Sequence, residues 1–237
     1  MEDGFDHNRI LLIVAHPDDI DFVFAGTVAL WTRSKKVVGY CIATSGEKGF
    51  EEDLPVEERK RVREEEQRAA ARVLGVEEVF YLRKPDGELK NDLALQRDLV
   101  AVIRKFRPDV VVTGDPASKG FDNFHGSHPD HRAIAEAAYD SIYPAAGNRF
   151  YFPELLESGL EPHKVREALF GTSSSPDFYV DISETFDLKM KALCCHKSQV
   201  SGDNKLEEVM RDWAGEIGGP EGIPLAEAFR RMKCPDA

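Results

Sequence analysis

The apolar positions of this 237-residue chain fall into two periods. Residues 9–15 (RILLIVA) form an uninterrupted, β-branched apolar run. That is how a strand buried on both faces of a parallel sheet reads. Residues 36–43 (KVVGYCIA), 79–82 and 110–113 (VVVT) predict three more such strands. Between them, residues 24–34, 56–74 and 93–106 repeat apolar positions at helical spacing. Leu74-Gly75 stops the second of these and Pro108 follows the third. The β-α-β-α-β-α-β order predicts an α/β fold, a Rossmann-like, doubly wound and mostly parallel sheet with helices on both faces. After Pro144 the pattern shortens, interrupted by Pro153, Pro162 and Pro176. Strands at 165–170 and 178–182 and a helix at 186–195 are expected there. They read as an extension, about 144–237, of one domain spanning 1–237 whose core is about 9–143. The charge run 57–68 reads by default as a solvated helix face.

Composition narrows the class without naming an activity. Hydrophobic residues at 42% and charged residues at 31% describe a globular chain rather than a disordered one. The 43 acidic against 31 basic residues give a net charge of −12, which disfavours nucleic acid and anionic membranes as partners. No apolar run approaches the roughly 18 residues of a membrane span. The opening Met1-Glu2-Asp3 is acidic where a secretory leader is basic. Cys41, Cys194, Cys195 and Cys234 show no CxxC spacing, so reduced thiols in a cytoplasm are expected.

Candidate chemistry lies where two of the strands end. In an open parallel sheet, ligands bind outside the carboxyl ends of the strands. The first strand runs into Ala15-His16-Pro17-Asp18-Asp19-Ile20-Asp21, without the glycines of a dinucleotide turn. The fourth leads to Asp115, Asp122, His125 and then His128-Pro129-Asp130-His131-Arg132. Pro129 suits the first position of a helix at 129–142, which places His131 in its first turn. If the two strands are neighbours, His16, Asp19 and His131 make a two-His, one-carboxylate set with one side open, the ligand set of a hydrolytic zinc ion. The plainer alternatives are a helix-capping role for Asp18 and Asp19 and a surface hydrogen bond for Asp130. Adjacent like charges at a strand end favour the cation.

These residues resemble a known family. Ala15-His16-Pro17-Asp18-Asp19, with Ala25-Gly26-Thr27 after it, and His128-Pro129-Asp130-His131-Arg132 are similar to the two signatures of the PIG-L/LmbE-like zinc-dependent deacetylases. Thr44-Ser45-Gly46-Glu47, Arg63 and Glu66 before Leu74-Gly75, and His196-Lys197-Ser198-Gln199 resemble its intervening segments. Many members carry Glu directly after the first motif; here Ile20 stands there and the acid follows at Asp21. A tyrosine found before the second motif in some members is absent, since Gly126-Ser127 precede His128.

The resemblance implies zinc-dependent N-deacetylation of an amino-sugar conjugate or other glycoconjugate. It assigns the metal to His16, Asp19 and His131, and the general base to Asp18. His128 is the acid and oxyanion stabiliser, with Asp130 orienting it and raising its pKa. Arg63, His125 and His196 are its substrate contacts, and a homo-oligomer is its implied assembly. The alternatives are an amidase for a longer acyl chain or a thiol-conjugate amide, a non-haem Fe(II) oxygenase with the same donor types, and a non-catalytic carbohydrate-binding protein.

Overall fold

A computed structural model of the chain describes residues 7–118, 128–200 and 204–235. The expected strands form as β1 (Arg9–Val14), β2 (Val37–Thr44), β3 (Glu78–Lys84) and β4 (Val110–Gly114). Between them lie α1 (Asp19–Val23), α2 (Ala25–Arg33), α3 (Val56–Val73) and α4 (Leu93–Phe106). α5 (Pro129–Asp140) follows β4 and runs into a turn of π-helix at Ser141–Ala145. The remaining elements are α6 (Glu154–Glu157), β5 (Glu167–Gly171), β6 (Phe178–Asp181), α7 (Phe186–Leu193), α8 (Asn204–Gly218) and β7 (Ala226–Lys233).

The seven strands form one sheet in the order β3-β2-β1-β4-β5-β7-β6. The first five of these are parallel, and β7 pairs antiparallel with both β5 and β6. The fold is therefore the expected Rossmann-like α/β type with a mostly parallel sheet. Side chains of β1 alternate between two cores. Ile10, Leu12 and Val14 pack with Val28 and Trp31 of α2, Ala70 and Ala71 of α3 and Phe186 of α7. Leu11 and Ile13 pack with Leu99 and Ile103 of α4 and with Ile134 and Ala138 of α5. A strand apolar on both faces requires helices on both faces, and the continuous apolar run of β1 is the sequence form of that requirement.

Two elements go beyond the sequence expectation. β7 (AEAFRRMK) reads as polar, yet it fills the gap between β5 and β6. Its Arg230 forms a two-armed ion pair with Asp115, and its Arg231 does the same with Glu167. Its Glu227 is buried, accepting from the Gly26 and Thr27 amides at the start of α2 and from Lys189 Nζ at 2.6 Å. α8 packs Met210 and Ala214 onto the same core as α2. Among the described residues no helix is long and apolar enough to cross a membrane.

The sheet order positions the site. From β1 the chain turns to β2 and β3 on one side, then reaches β4 on the other, with Ile10, Leu11 and Leu12 in register with Val110, Val111 and Val112. Strand order reverses between β1 and β4, so a crevice opens beyond their carboxyl ends. Both His/Asp motifs enter it.

Candidate metal centre

Beyond Val14 the chain passes through His16 and Pro17 into α1, with Asp18 at the helix cap. Asp18 has φ 91° and ψ −28°, a left-handed conformation rare for a residue with a side chain. Its carbonyl accepts from the Asp21 and Phe22 amides, but its carboxylate makes no capping bond. The capping alternative for Asp18 therefore fails. Asp19 Oδ2 accepts from the His16 backbone N–H at 2.8 Å, which folds the loop back on itself. On the facing side, His128 caps α5 and Pro129 begins it, so His131 sits in the first turn as expected.

The two motifs converge. His16 Nδ1 is 3.2 Å from His131 Nε2, His131 Nε2 is 3.0 Å from Asp19 Oδ1, and His16 Nδ1 is 3.6 Å from Asp19 Oδ2. Ligand atoms at the usual 2.0–2.2 Å from a tetrahedral ion stand about 3.3 Å apart. The donor set and its spacing thus fit a divalent cation. Two overlapping sets also bring their donor atoms within 4.8 Å of one another: His16, His128 and His131, and His16, Asp86 and Asp130.

The hydrogen bonds separate these roles. His16 Nε2, on the far side of the ring from Asp19 and His131, lies 3.2 Å from Asp86 Oδ1 and 3.3 Å from Asp130 Oδ2. Asp130 also accepts from the Gly87 and Leu89 amides, and Asp86 from the Lys48 amide. Those carboxylates are already engaged, so they orient His16 rather than compete for its Nδ1 face. A histidine that ligates through one nitrogen commonly donates its other N–H to a carboxylate. Substituting Asp86 with Asn should therefore weaken metal binding by about 10- to 100-fold with the fold intact. Metal titration against a competing chelator measures that change.

The same contacts correct two expected roles. Asp130 does not pair its carboxylate with His128. It meets that ring only through its backbone N–H, which donates to His128 Nδ1 at 3.2 Å. The reason is its position as the second residue of α5, with its carboxylate turned to the 86–89 loop. His128 is in turn shifted below its usual pKa, first of all by burial. A neutral ring with Nδ1 already accepting carries its proton on Nε2. Acting as an acid would need a second proton at Nδ1, where a donor already points. His128 is built to donate a hydrogen bond from Nε2–H.

Charge in the site is dominated by burial and proximity. Burial pushes the Asp18 carboxyl up to about 6, Arg63 opposing and Asp19 assisting. Burial disfavours the His16 cation, but the carboxylates of Asp130, Asp19 and Asp86 outweigh it and lift the ring to about 12. Asp19 is held well below the usual carboxylate range by His131 and His16 despite burial.

Arg63, expected at the substrate, is 3% exposed, and one of its terminal nitrogens is engaged inside the protein. Its Nη2 donates to Pro17 O at 2.6 Å and to Asp18 Oδ2 at 3.2 Å. Gly46, at φ +64°, lies against this guanidinium, and a Cβ there would come within 3.0 Å of Arg63 Cζ. Arg63 therefore holds the Pro17–Asp18 turn. His196 is also corrected: it is fully buried, with Nε2 2.8 Å from Asp21 Oδ2, and has no surface to offer a substrate. His125 lies outside the described residues.

Two residues of the site escape a reading by motif. Asp86 follows β3, and Gln67 lies on α3 within the charge run that reads as solvated. The readable signal for Gln67 is spacing. Arg63, Glu64, Gln67, Ala70 and Ala71 are the buried residues of α3 and lie on one helical face. That stripe is polar where it meets the site and alanine where it meets the core.

Comparison with known proteins follows the same lines. Residues 11–142 match the family model described as PIG-L, GlcNAc-PI de-N-acetylase. The chain is 31% identical over 228 residues to the diacetylchitobiose deacetylase of Thermococcus kodakarensis, covering 95% of this chain and 83% of that protein. It superposes on the N,N'-diacetylchitobiose deacetylase from Pyrococcus horikoshii with a TM-score of 0.89 and 30% identity, over 96% of this chain and 84% of that one. It also shares its fold with the 4-carboxy-2-hydroxymuconate hydratase of Pseudomonas putida KT2440, at TM-score 0.76 and 20% identity, over 97% of this chain and 98% of that one. The fold alone does not fix the reaction.

Proposed function

The chain belongs to the PIG-L family, and from that premise we propose that it is a zinc-dependent hydrolase that removes the acetyl group from an N-acetylated amino-sugar conjugate. The observation that carries this reading is the convergence of His16 Nδ1, His131 Nε2 and Asp19 within 3.0–3.6 Å, beside an Asp18 that is kept off the helix cap. His16, Asp19 and His131 would hold the ion. Bound there, a zinc ion lowers the pKa of a coordinated water and polarises the amide carbonyl.

The chain's own residues supply the rest. Asp18 takes a proton from the attacking water, and a carboxyl pushed towards neutrality suits that task. The water oxygen bonds to the acyl carbon. His128 donates from Nε2–H to the oxygen that becomes negative, as a preorganised donor does in an oxyanion hole. The C–N bond then breaks, the proton held by Asp18 passes to the leaving nitrogen, and acetate and a free amine result. Asp86 and Asp130 fix the His16 ring, and Arg63 fixes Asp18.

The substrate class follows the names of the two chitobiose deacetylases, both acting on an N-acetylated amino sugar. Four cysteines without CxxC spacing support a cytoplasmic location. A panel of amides tests the reading: N-acetylated mono- and disaccharides, the same sugars with longer acyl chains, and thiol-conjugate amides, with the products identified by mass. Free amine from the acetylated sugars first is expected. Turnover confined to longer acyl chains or thiol conjugates would overturn it.

A further inference from the structure

Behind Asp18 runs a buried chain of side chains that none of the steps above uses. Gln67 of α3 is fully buried. Its Oε1 accepts from the Asp18 backbone N–H at 2.8 Å, and its Nε2 donates to Asp21 Oδ2 at 2.8 Å. The same carboxylate oxygen lies 2.8 Å from His196 Nε2, and both Asp21 and His196 are 0% exposed. Three elements distant in sequence, α1, α3 and the segment after α7, thus meet at one buried point.

The order of donors and acceptors along this chain is fixed from its far end. The Asp21 carboxylate accepts, so the Gln67 amide must present NH₂ to it. The amide oxygen is then forced to face the other way, onto the Asp18 N–H. That N–H belongs to the one residue of the motif with left-handed backbone, a conformation a side-chain-bearing residue keeps only when its surroundings over-determine it. An Asp at a helix cap ordinarily turns its carboxylate back onto the first-turn amides. Here the left-handed turn prevents that and leaves the carboxylate to Arg63.

We propose that Gln67, braced by Asp21 and His196, is a positioning residue that holds Asp18 in the left-handed turn and so keeps its carboxylate available to the reaction. The inference rests on the reading of Asp18 as the base. Neither Glu nor Met can replace Gln67: Glu keeps the acceptor towards Asp18 but sets a second carboxylate against Asp21, and Met keeps the volume and makes neither bond.

The test compares Gln67→Met, Asp18→Asn and the double variant in the metal-loaded protein. Gln67→Met should lower kcat by about tenfold or more, with KM within about twofold and metal content unchanged, because only the orientation of the base is lost. In the Asp18→Asn background the same change should cost no more than about twofold. A crystal structure of Gln67→Met should show Asp18 out of the left-handed region and its contact with Arg63 opened. Wild-type kcat in Gln67→Met, an equal loss in both backgrounds, or an unmoved Asp18 in the variant structure would each overturn the proposal. Should Asp18→Asn alone keep full turnover, the base assignment fails instead, and the variant structure still decides whether Gln67 holds the turn.

Discussion

Replacing Asp18 with Asn should lower kcat by about 100- to 10,000-fold, the range typical of removing a positioned general base, while metal content stays at the wild-type level. The substitution keeps the size and shape of the side chain and removes its ability to take a proton. Asp18 contributes no oxygen to the atoms that converge at 3.0–3.6 Å, which come from His16, His131 and Asp19. Its backbone duties, the carbonyl that opens α1 and the N–H on Gln67, do not depend on the carboxylate. Elemental analysis beside steady-state kinetics separates the two effects. Lost metal would make Asp18 a ligand, and unchanged turnover would remove it from the reaction.

His131→Ala should do the opposite, depleting the metal first and the activity with it. A site with three protein ligands loses its geometry when one goes. Here the removed Nε2 lies 3.2 Å from His16 Nδ1 and 3.0 Å from Asp19 Oδ1, so both remaining ligands lose their partner. Metal content should fall from about one ion per chain to a small fraction of that. His131 is on the first turn of a helix whose packing rests on Ile134, Ala137 and Ala138, so the fold should survive. Full metal occupancy in His131→Ala would move the centre to the set that does not contain it, His16 with Asp86 and Asp130.

Much of this was legible in the chain because the information is local. β1 and β4 announce themselves as apolar runs; β1 hands over directly to one His/Asp motif, and the other follows β4 further along the chain. Every expected helix and strand forms, with bounds within two residues. β7 was not legible. AEAFRRMK becomes a strand because Arg230, Arg231 and Glu227 find buried partners just after β4, on β5 and on α7, and such pairing overrides intrinsic preference. α8 carries a readable stripe in Leu206, Met210 and Trp213, all packed on the core.

The same division holds within the site. Its motif residues were readable, while the partners that decide what each one does came from elsewhere. Arg63 reads as a residue for the substrate, and the 2.6 Å contact with Pro17 O adds a role in the turn that the motif does not show. Asp130 reads as the partner of its neighbour His128, yet its carboxylate reaches across 114 residues of sequence to His16. Asp86 and Gln67 carry no motif at all, being defined by contacts between elements.

The central claim is that this centre hydrolyses an N-acetyl amide with a divalent ion held by His16, Asp19 and His131. Its most direct measurement is amine and acetate formation from an N-acetylated amino sugar by the same protein sample before chelation, after chelation and after restoration of one equivalent of zinc. Turnover, then loss of turnover with the fold retained, then recovery is the expected result. Turnover that persists undiminished in protein verified to be metal-free would contradict it.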